Sequence, residues 1–334
     1  MRDRQSRPAP AADGPRNLSR RRLLECAPWA GAGLVWGLAG GVPYTLGLLG
    51  EAAAQTQSPG LTFVQISDSH IGFHKPVNPD PAATLGEAIA RIGAMPVKPA
   101  FMVHTGDITH LSKPKEFDDA AQIASQAGLT THYVPGEHDL MDPELSEYRT
   151  RYGAGTKGAG WYSFDIGGVH FVALVNVAMS GRDMGEVYID DPGPNAGGLG
   201  VLGDDQLAWM ADDLGGRSAS TPIVVLAHVP LWAVYPTWGW GTLDGARALA
   251  LLKRFGSVTV LNGHIHQIVQ KVEGDVAFYT AMSTAFPQPA PGQGPKPGPK
   301  NVAADQLRSV LGARSVIFQP GRQRLAVIDH PLKG

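Results

Sequence analysis

Val134-Pro135-Gly136-Glu137-His138-Asp139 closes a short β-prone run, Thr131 to Val134, with a turn-forming pair and three consecutive titratable side chains. Thr131 to Val134 reads as a buried strand. Strand ends gather ligands in α/β sheets, because the loops there aim side chains into one crevice. A carboxylate, an imidazole and a second carboxylate in a row can supply a metal ligand, a proton donor and a group that orients it. A charged turn has the same composition, so the loop alone decides nothing. Working outward, four more runs end in the same way. Leu61 to Ser67 ends in Asp68-Ser69-His70, and Ala100 to His104 in Thr105-Gly106-Asp107. Pro222 to Ala227 ends in His228, and Val258 to Leu261 in Asn262-Gly263-His264-Ile265-His266.

Helical spacing lies between these runs. Leu85, Ala88, Ile89 and Ile92 share one face of a segment from Pro81 to Ala94. Lys113 to Gln126, Leu202 to Leu214 and Thr242 to Phe255 read as further helices. Strand–helix–strand alternation argues for parallel strands with crossover helices, hence an α/β fold. Hairpins are expected for Trp161 to Asp165 with His170 to Asn176, for Ile268 to Val272 with Val276 to Thr280, and for Val316 to Phe318 with Leu325 to Ile328. Ser180 to Gly200 lacks any period and reads as an insertion or lid, while Phe286 to Lys300 is a Pro/Gly-rich loop.

The 334 residues suffice for one large body or two smaller ones, and the formal net charge of -2 averages two unlike parts. All seven bases of residues 1–54 precede Leu23, and that stretch holds four acids, so residues 55–334 carry 21 bases against 26 acids. Such a balance gives no basic patch for a nucleic-acid polymer. The single cysteine, Cys26, lies ahead of this body, which excludes a disulfide or a zinc–thiolate site within it. Ser19-Arg20-Arg21-Arg22-Leu23-Leu24, an uncharged run from Ala27 to Gly50 and Ala52-Ala53-Ala54 resemble a cleaved twin-arginine export signal over residues 1–54. A periplasmic or extracellular location follows, with membrane attachment only if the segment stays on.

The five blocks in this order resemble the calcineurin-like metallophosphoesterase superfamily, with its D-x-H, G-D, G-N-H-D/E, H and G-H-x-H series. The resemblance implies two packed mixed β-sheets flanked by helices, an αββα sandwich, over residues 55–334. It implies a dinuclear metal centre, with Asp68, His70, Asp107 and His266 on one ion and Asp107, Glu137, His228 and His264 on the other. It further implies hydrolysis of a small phosphoester by a metal-bridging hydroxide, with His138 assisting the leaving group and Asp139 orienting His138. Imidazole and carboxylate donors without thiolate suit iron, manganese or zinc. The block contexts look most like cyclic-nucleotide-phosphodiesterase-like members, so a diester is favoured. A phosphomonoesterase and a catalytically silent metal- or phosphate-binding protein are the alternatives.

This sequence departs from the family pattern at Glu137, where the series has Asn. A third carboxylate lowers the positive charge of the centre, and trivalent iron beside Fe, Mn or Zn would restore it. The glycines before Asp107, Glu137 and His264 are expected at turns that only Gly tolerates. His74 and His110 are candidate substrate contacts, His110 standing where purple acid phosphatases have a tyrosine ligand. Trp232, Trp238 and Trp240, with Tyr235, form either a cover for the sheet or an aromatic wall beside the metals, and on the second reading Trp232 and Trp238 are the candidate substrate contacts. His104, on an apolar strand, is expected to be a hydrogen-bonded core residue, and His132, His170 and His330 to be structural.

Overall fold

The computed structural model describes residues 60–141, 146–177, 200–322 and 324–333, and the backbone of residues 35–39 and 42–46. The chain forms two units, Met1–Gln57 and Ser58–Gly334. In the first, β1 (Val35–Ala39) pairs antiparallel with β2 (Val42–Leu46). The arginine triplet, Ala52-Ala53-Ala54 and nearly all of the 180–200 insertion lie outside the described residues. No helix among those described is long and apolar enough to cross a membrane.

In the second unit, period-2 burial builds two sheets that share a core. The strands of one are β3 (Leu61–Ile66), β4 (Met102–His104), β5 (Thr131–Tyr133), β12 (Gly312–Phe318) and β13 (Ala326–Pro331), in the order β13-β12-β3-β4-β5. β3, β4 and β5 run parallel, and β12 closes antiparallel on β3 with Val316 opposite Phe63. The other sheet holds β6 (Tyr162–Ile166), β7 (Val169–Ala173), β8 (Ile223–Leu226), β9 (Val258–Asn262), β10 (Gln270–Glu273) and β11 (Val276–Thr280), in the order β10-β11-β9-β8-β7-β6. There β7, β8, β9 and β11 are parallel, with antiparallel strands at each edge.

Alternate side chains decide the layers. Leu61 and Phe63 meet Val224, Leu226 and Leu261 between the sheets, where Phe63, Phe101 and Phe171 pack edge-on or stacked. Val64 and Ile66 turn the other way, onto α1 (Pro81–Gly93) and α2 (Pro114–Ser125). Ile223 and Val225 turn onto α4 (Asp204–Gly215) and α5 (Gly245–Leu252). The result is the expected helix–sheet–sheet–helix order. Asp80 caps α1 by accepting from Ala83 N at 3.0 Å, and Pro81 at its first position loses no needed donor.

Several boundaries differ from expectation. Thr131–Tyr133 is only half-buried, because β5 is the sheet edge. α5 starts at Gly245 because Thr242 is held outside the helix, its hydroxyl donating to Pro230 O at 2.9 Å. β10 begins two residues after Ile268, and β12 reaches back to Gly312. Two helices were not anticipated, α3 (Ser146–Tyr152) and α6 (Leu307–Val310).

Candidate metal centre

The parallel strands of both sheets deliver their polar loops to one end. Asp68 and His70 follow β3, Asp107 follows β4 and Glu137 follows β5; His228 follows β8, and His264 and His266 follow β9. Asp68, His70, Asp107 and His266 present ligand atoms all within 4.8 Å of one another, and so do Glu137, His228 and His264. Asp107 stands between the two groups, its Oδ2 3.4 Å from His70 Nε2 and 3.5 Å from His228 Nε2. Its other oxygen takes the backbone N–H of His138 at 2.9 Å, and Oδ2 faces both groups. The seven expected ligands are thus brought together in the two expected groups.

The donor set fits two ions. Each of three histidines has one ring nitrogen engaged and Nε2 turned inward: His228 Nδ1 donates to Thr105 O at 2.6 Å, His266 Nδ1 donates to Phe286 O at 2.6 Å, and His70 Nδ1 lies 3.4 Å from His110 Nδ1. Such outer contacts fix the ring and the tautomer of a metal ligand. Glu137 spans the second group, with Oε2 3.0 Å from His228 Nε2 and Oε1 3.0 Å from His264 Nδ1. Of the eleven buried polar atoms without a hydrogen bond among the described residues, five lie here: Asp68 Oδ2 and His264 Nε2, and Glu137 Oε2, His228 Nε2 and His264 Nδ1, which meet at ion-pair distance without hydrogen-bond geometry. Orphaned buried donors and acceptors are costly, and a metal ion would satisfy these.

The backbone carries the same signature. Asp68, His70, Asp107, His264 and His266 all have left-handed φ, between 39° and 69°, and only Ser112 joins them among the described non-glycine residues. Each such residue costs about 1–3 kcal/mol and persists only where surrounding structure enforces it. The three glycines of the blocks serve two ends, not the one expected. Gly106 has φ +95°, but Gly136 and Gly263 are needed for close approach. A Cβ at Gly136 would lie 2.1 Å from Asp107 Oδ1, and one at Gly263 would lie 2.1 Å from Ser67 Oγ.

Charge and burial set the protonation. Burial would raise the carboxyl of Asp68, but the adjoining His266 and His228 outweigh it and bring it to about 2. Burial likewise opposes ionisation of Glu137, while His264 and His228 hold its carboxyl well below the usual range. Burial, reinforced by His138, His266 and His110, lowers His70 well below an ordinary histidine. For His138 burial acts downward, yet the Asp107 and Glu137 carboxylates prevail and raise it.

Asp139 does not orient His138. Its buried carboxylate accepts from Gly136 N at 2.9 Å, Ile108 N at 3.0 Å and Thr109 N at 2.8 Å, which ties the Gly106-Asp107 loop to the Gly136–Asp139 loop. Burial and the Asp107 charge push it up to about 7, against those three donors. The carbonyl of His110 is what fixes His138, accepting from His138 Nδ1 at 2.8 Å.

A cavity of about 560 Å³ opens over the centre, lined on its outer side by Phe73, Lys75, His110, Trp240 and Phe286, with Pro297 to Pro299 as one wall. The two readings of the tryptophans divide within the loop, and the choice of Trp232 and Trp238 as substrate contacts is corrected. Trp232 packs on Phe278 at 4.8 Å under the helices, Trp238 is buried against Trp240, and only Trp240 reaches the cleft. His74 is exposed beside Pro79 O at 3.0 Å, and its neighbours Phe73 and Lys75 line the cavity instead. Lys75, Phe286 and Gln288 were not anticipated, and no sequence signal marks them.

The remaining histidines are structural. His104 Nε2 meets Ser69 Oγ at 2.9 Å, and His170 sits between Asp165 at 3.0 Å and Asp213 at 2.7 Å. His132 stacks on Phe164 at 3.9 Å, and His330 Nε2 meets Ser315 Oγ at 2.8 Å.

Comparison with known proteins agrees with this geometry. The family described as calcineurin-like phosphoesterase matches residues 61–268. No curated protein matches the chain by sequence. Among solved structures, a dimetal phosphatase from Danio rerio superposes with a TM-score of 0.62 at 14% identity, over 81% of this chain and 96% of that one. Purple acid phosphatase PPD1 from yellow lupin (Lupinus luteus) gives 0.57 at 11% identity over 83% of this chain, which spans 52% of its length. GAP50 of Plasmodium, the anchor in its inner membrane complex, gives 0.52 at 13% identity over 82% and 85%. At such identities the likeness is one of fold.

Proposed function

The chain belongs to the calcineurin-like phosphoesterase family, and from that premise we propose that it is a dinuclear-metal hydrolase acting on small phosphodiesters. The cleft carries this reading. Among the described residues, the walls beyond the histidines and carboxylates of the centre are apolar or aromatic apart from Gln288, and Lys75 is the single Lys or Arg lining them. A diester brings one negative charge and two organic substituents, which suits one cation and apolar walls better than a dianionic monoester would.

Asp68, His70, Asp107 and His266 would hold one ion, and Asp107, Glu137, His228 and His264 the other. Two ions held there would supply an activated water and neutralise charge on the phosphoryl group. The protein's own groups do the rest. His138 keeps Nδ1–H on the His110 carbonyl, so Nε2 is the atom that delivers a proton to the departing oxygen. Although burial acts downward, the Asp107 and Glu137 carboxylates raise the affinity of His138 for a proton above that of an ordinary histidine, which suits a proton donor. Asp139 acts at one remove, locking the two loops that carry Asp107 and His138. Glu137 adds a third carboxylate, which trivalent iron in one position would offset, so the proposal includes iron.

One experiment tests both parts: elemental analysis after native expression, coupled to turnover of bis-p-nitrophenyl phosphate and p-nitrophenyl phosphate. We expect iron in the protein, preference for the diester, and a loss of about 100-fold or more in His138→Ala with metal retained. Preference for the monoester would make it a phosphomonoesterase. No turnover by metal-loaded protein would leave the silent binding protein. Zinc alone, or unchanged metal content in Glu137→Asn, would remove iron from the proposal.

A further inference from the structure

His110 belongs to none of the five motif blocks, yet it touches two members of the centre at once. Its ring stacks on His138, with centroids 4.8 Å apart and planes 17° apart, and meets Phe73 edge-on at 5.2 Å. Its carbonyl accepts from His138 Nδ1 at 2.8 Å, and its own Nδ1 lies 3.4 Å from His70 Nδ1.

These contacts fix where its proton sits. His70 Nε2 faces the centre, 3.4 Å from Asp107 Oδ2 and 3.3 Å from His266 Nε2, so it serves as the lone-pair ligand atom. A neutral imidazole carries its single proton on the other nitrogen, so His70 donates from Nδ1. Among the described residues the partner placed to accept is His110 Nδ1, which must therefore offer a lone pair. The proton of His110 is then confined to Nε2, the ring atom away from His70, and the ring lines the cleft.

We propose that His110 is a catalytic residue, a neutral donor whose Nε2–H binds the phosphoryl group of the substrate. The role rests on the phosphoesterase reading but differs from that of His138, which gives up a proton where His110 keeps one. His70 thereby does two things: it binds metal on one side and selects the tautomer of a substrate ligand on the other. Lys75 is exposed at the rim, so the cleft has a solvent-exposed cation outside and a packed neutral donor within. A fixed donor aimed at a phosphoryl oxygen works without reorganisation during the reaction.

The test uses metal-loaded full-length protein and inorganic phosphate as the probe. His110→Ala should weaken phosphate binding, read by calorimetry, roughly 10-fold to 100-fold while metal content stays at the wild-type level. The kcat/KM for bis-p-nitrophenyl phosphate should fall by a similar factor. His110→Gln, which restores an N–H on a longer side chain, should recover most of the binding. Nitrogen-15 spectra of the histidine rings should show His110 neutral with its proton on Nε2. Unchanged phosphate affinity in His110→Ala, loss of metal in that variant, no recovery in His110→Gln, or a proton on Nδ1 would each overturn the proposal. If wild-type protein binds phosphate through His110 but hydrolyses no ester, the donor stands and the hydrolase reading falls.

Discussion

His104 shows how a single side chain can make the fold acid-sensitive. It ends β4 fully buried, with Ser69 on one nitrogen and no partner on Nδ1. Burial, only partly opposed by Asp68, lowers it to about 3 from an ordinary 6.5. A depressed histidine favours the folded state above 6.5, and that contribution is lost as pH falls from 6.5 through about 3. The full effect is about 5 kcal/mol at 1.36 kcal/mol per unit. Urea unfolding of His104→Gln should therefore show a shallower fall in stability between pH 6.5 and 3 than the natural protein does, and equal slopes would refute the account. The core role of His104 was legible because an apolar strand offers a histidine nothing else. The work of Asp139 was not: its partners are backbone N–H groups of Ile108 and Thr109, which carry no residue signature. The candidate ligands were legible from their motif blocks, and the left-handed backbone found at five of the seven is one that Asp and His tolerate better than most L-residues.

Among elements, the Pro/Gly-rich segment that follows Ala285 is the least ordinary. It has no regular structure, but it is stitched to the Gly263–His266 loop. Gln288 Nε2 donates to His264 O at 2.9 Å while its Oε1 accepts from Gly298 N at 3.0 Å, and Gln267 Nε2 donates to Pro289 O at 2.6 Å. Gln288 thus ties the Pro297–Pro299 wall of the cleft to a metal-ligand loop. Gln288→Ala should raise KM for bis-p-nitrophenyl phosphate several-fold and leave KM for methyl p-nitrophenyl phosphate nearly unchanged. Equal shifts for both esters would show that the wall does not read substituent size. The sequence marks such a segment as a loop but not as a wall, because the clip depends on one amide that no motif singles out. α3 escaped notice for a comparable reason. Its seven residues have no apolar stripe, and what holds it is Tyr148 in the core and Tyr152 stacked on Tyr133 at 4.1 Å.

For the whole molecule, the centre is a joint between sheets. Asp68, His70, Asp107 and Glu137 come from one and His228, His264 and His266 from the other, so ions bound there would tie together segments remote in sequence. Ligands that bind only the folded state raise its stability by mass action, about 4 kcal/mol at a thousand times Kd. Chelation should lower Tm by roughly 10 °C at 2–4 °C per kcal/mol, and an unchanged Tm after metal removal would show that the sheets are joined without ions. Two packed sheets were legible only through the family resemblance that the blocks carry, whereas the pairing of β12 with β3 was not, since it joins strands about 250 residues apart. The parallel strands also give the molecule two unlike poles. Every ligand loop leaves one pole, while the tight turns at Gly167-Gly168 and Gly274-Asp275, each entering a parallel strand, sit at the other. A fluorescent reporter or affinity handle spliced into either turn would ride on the protein away from the cleft, so attachment and turnover can be engineered independently.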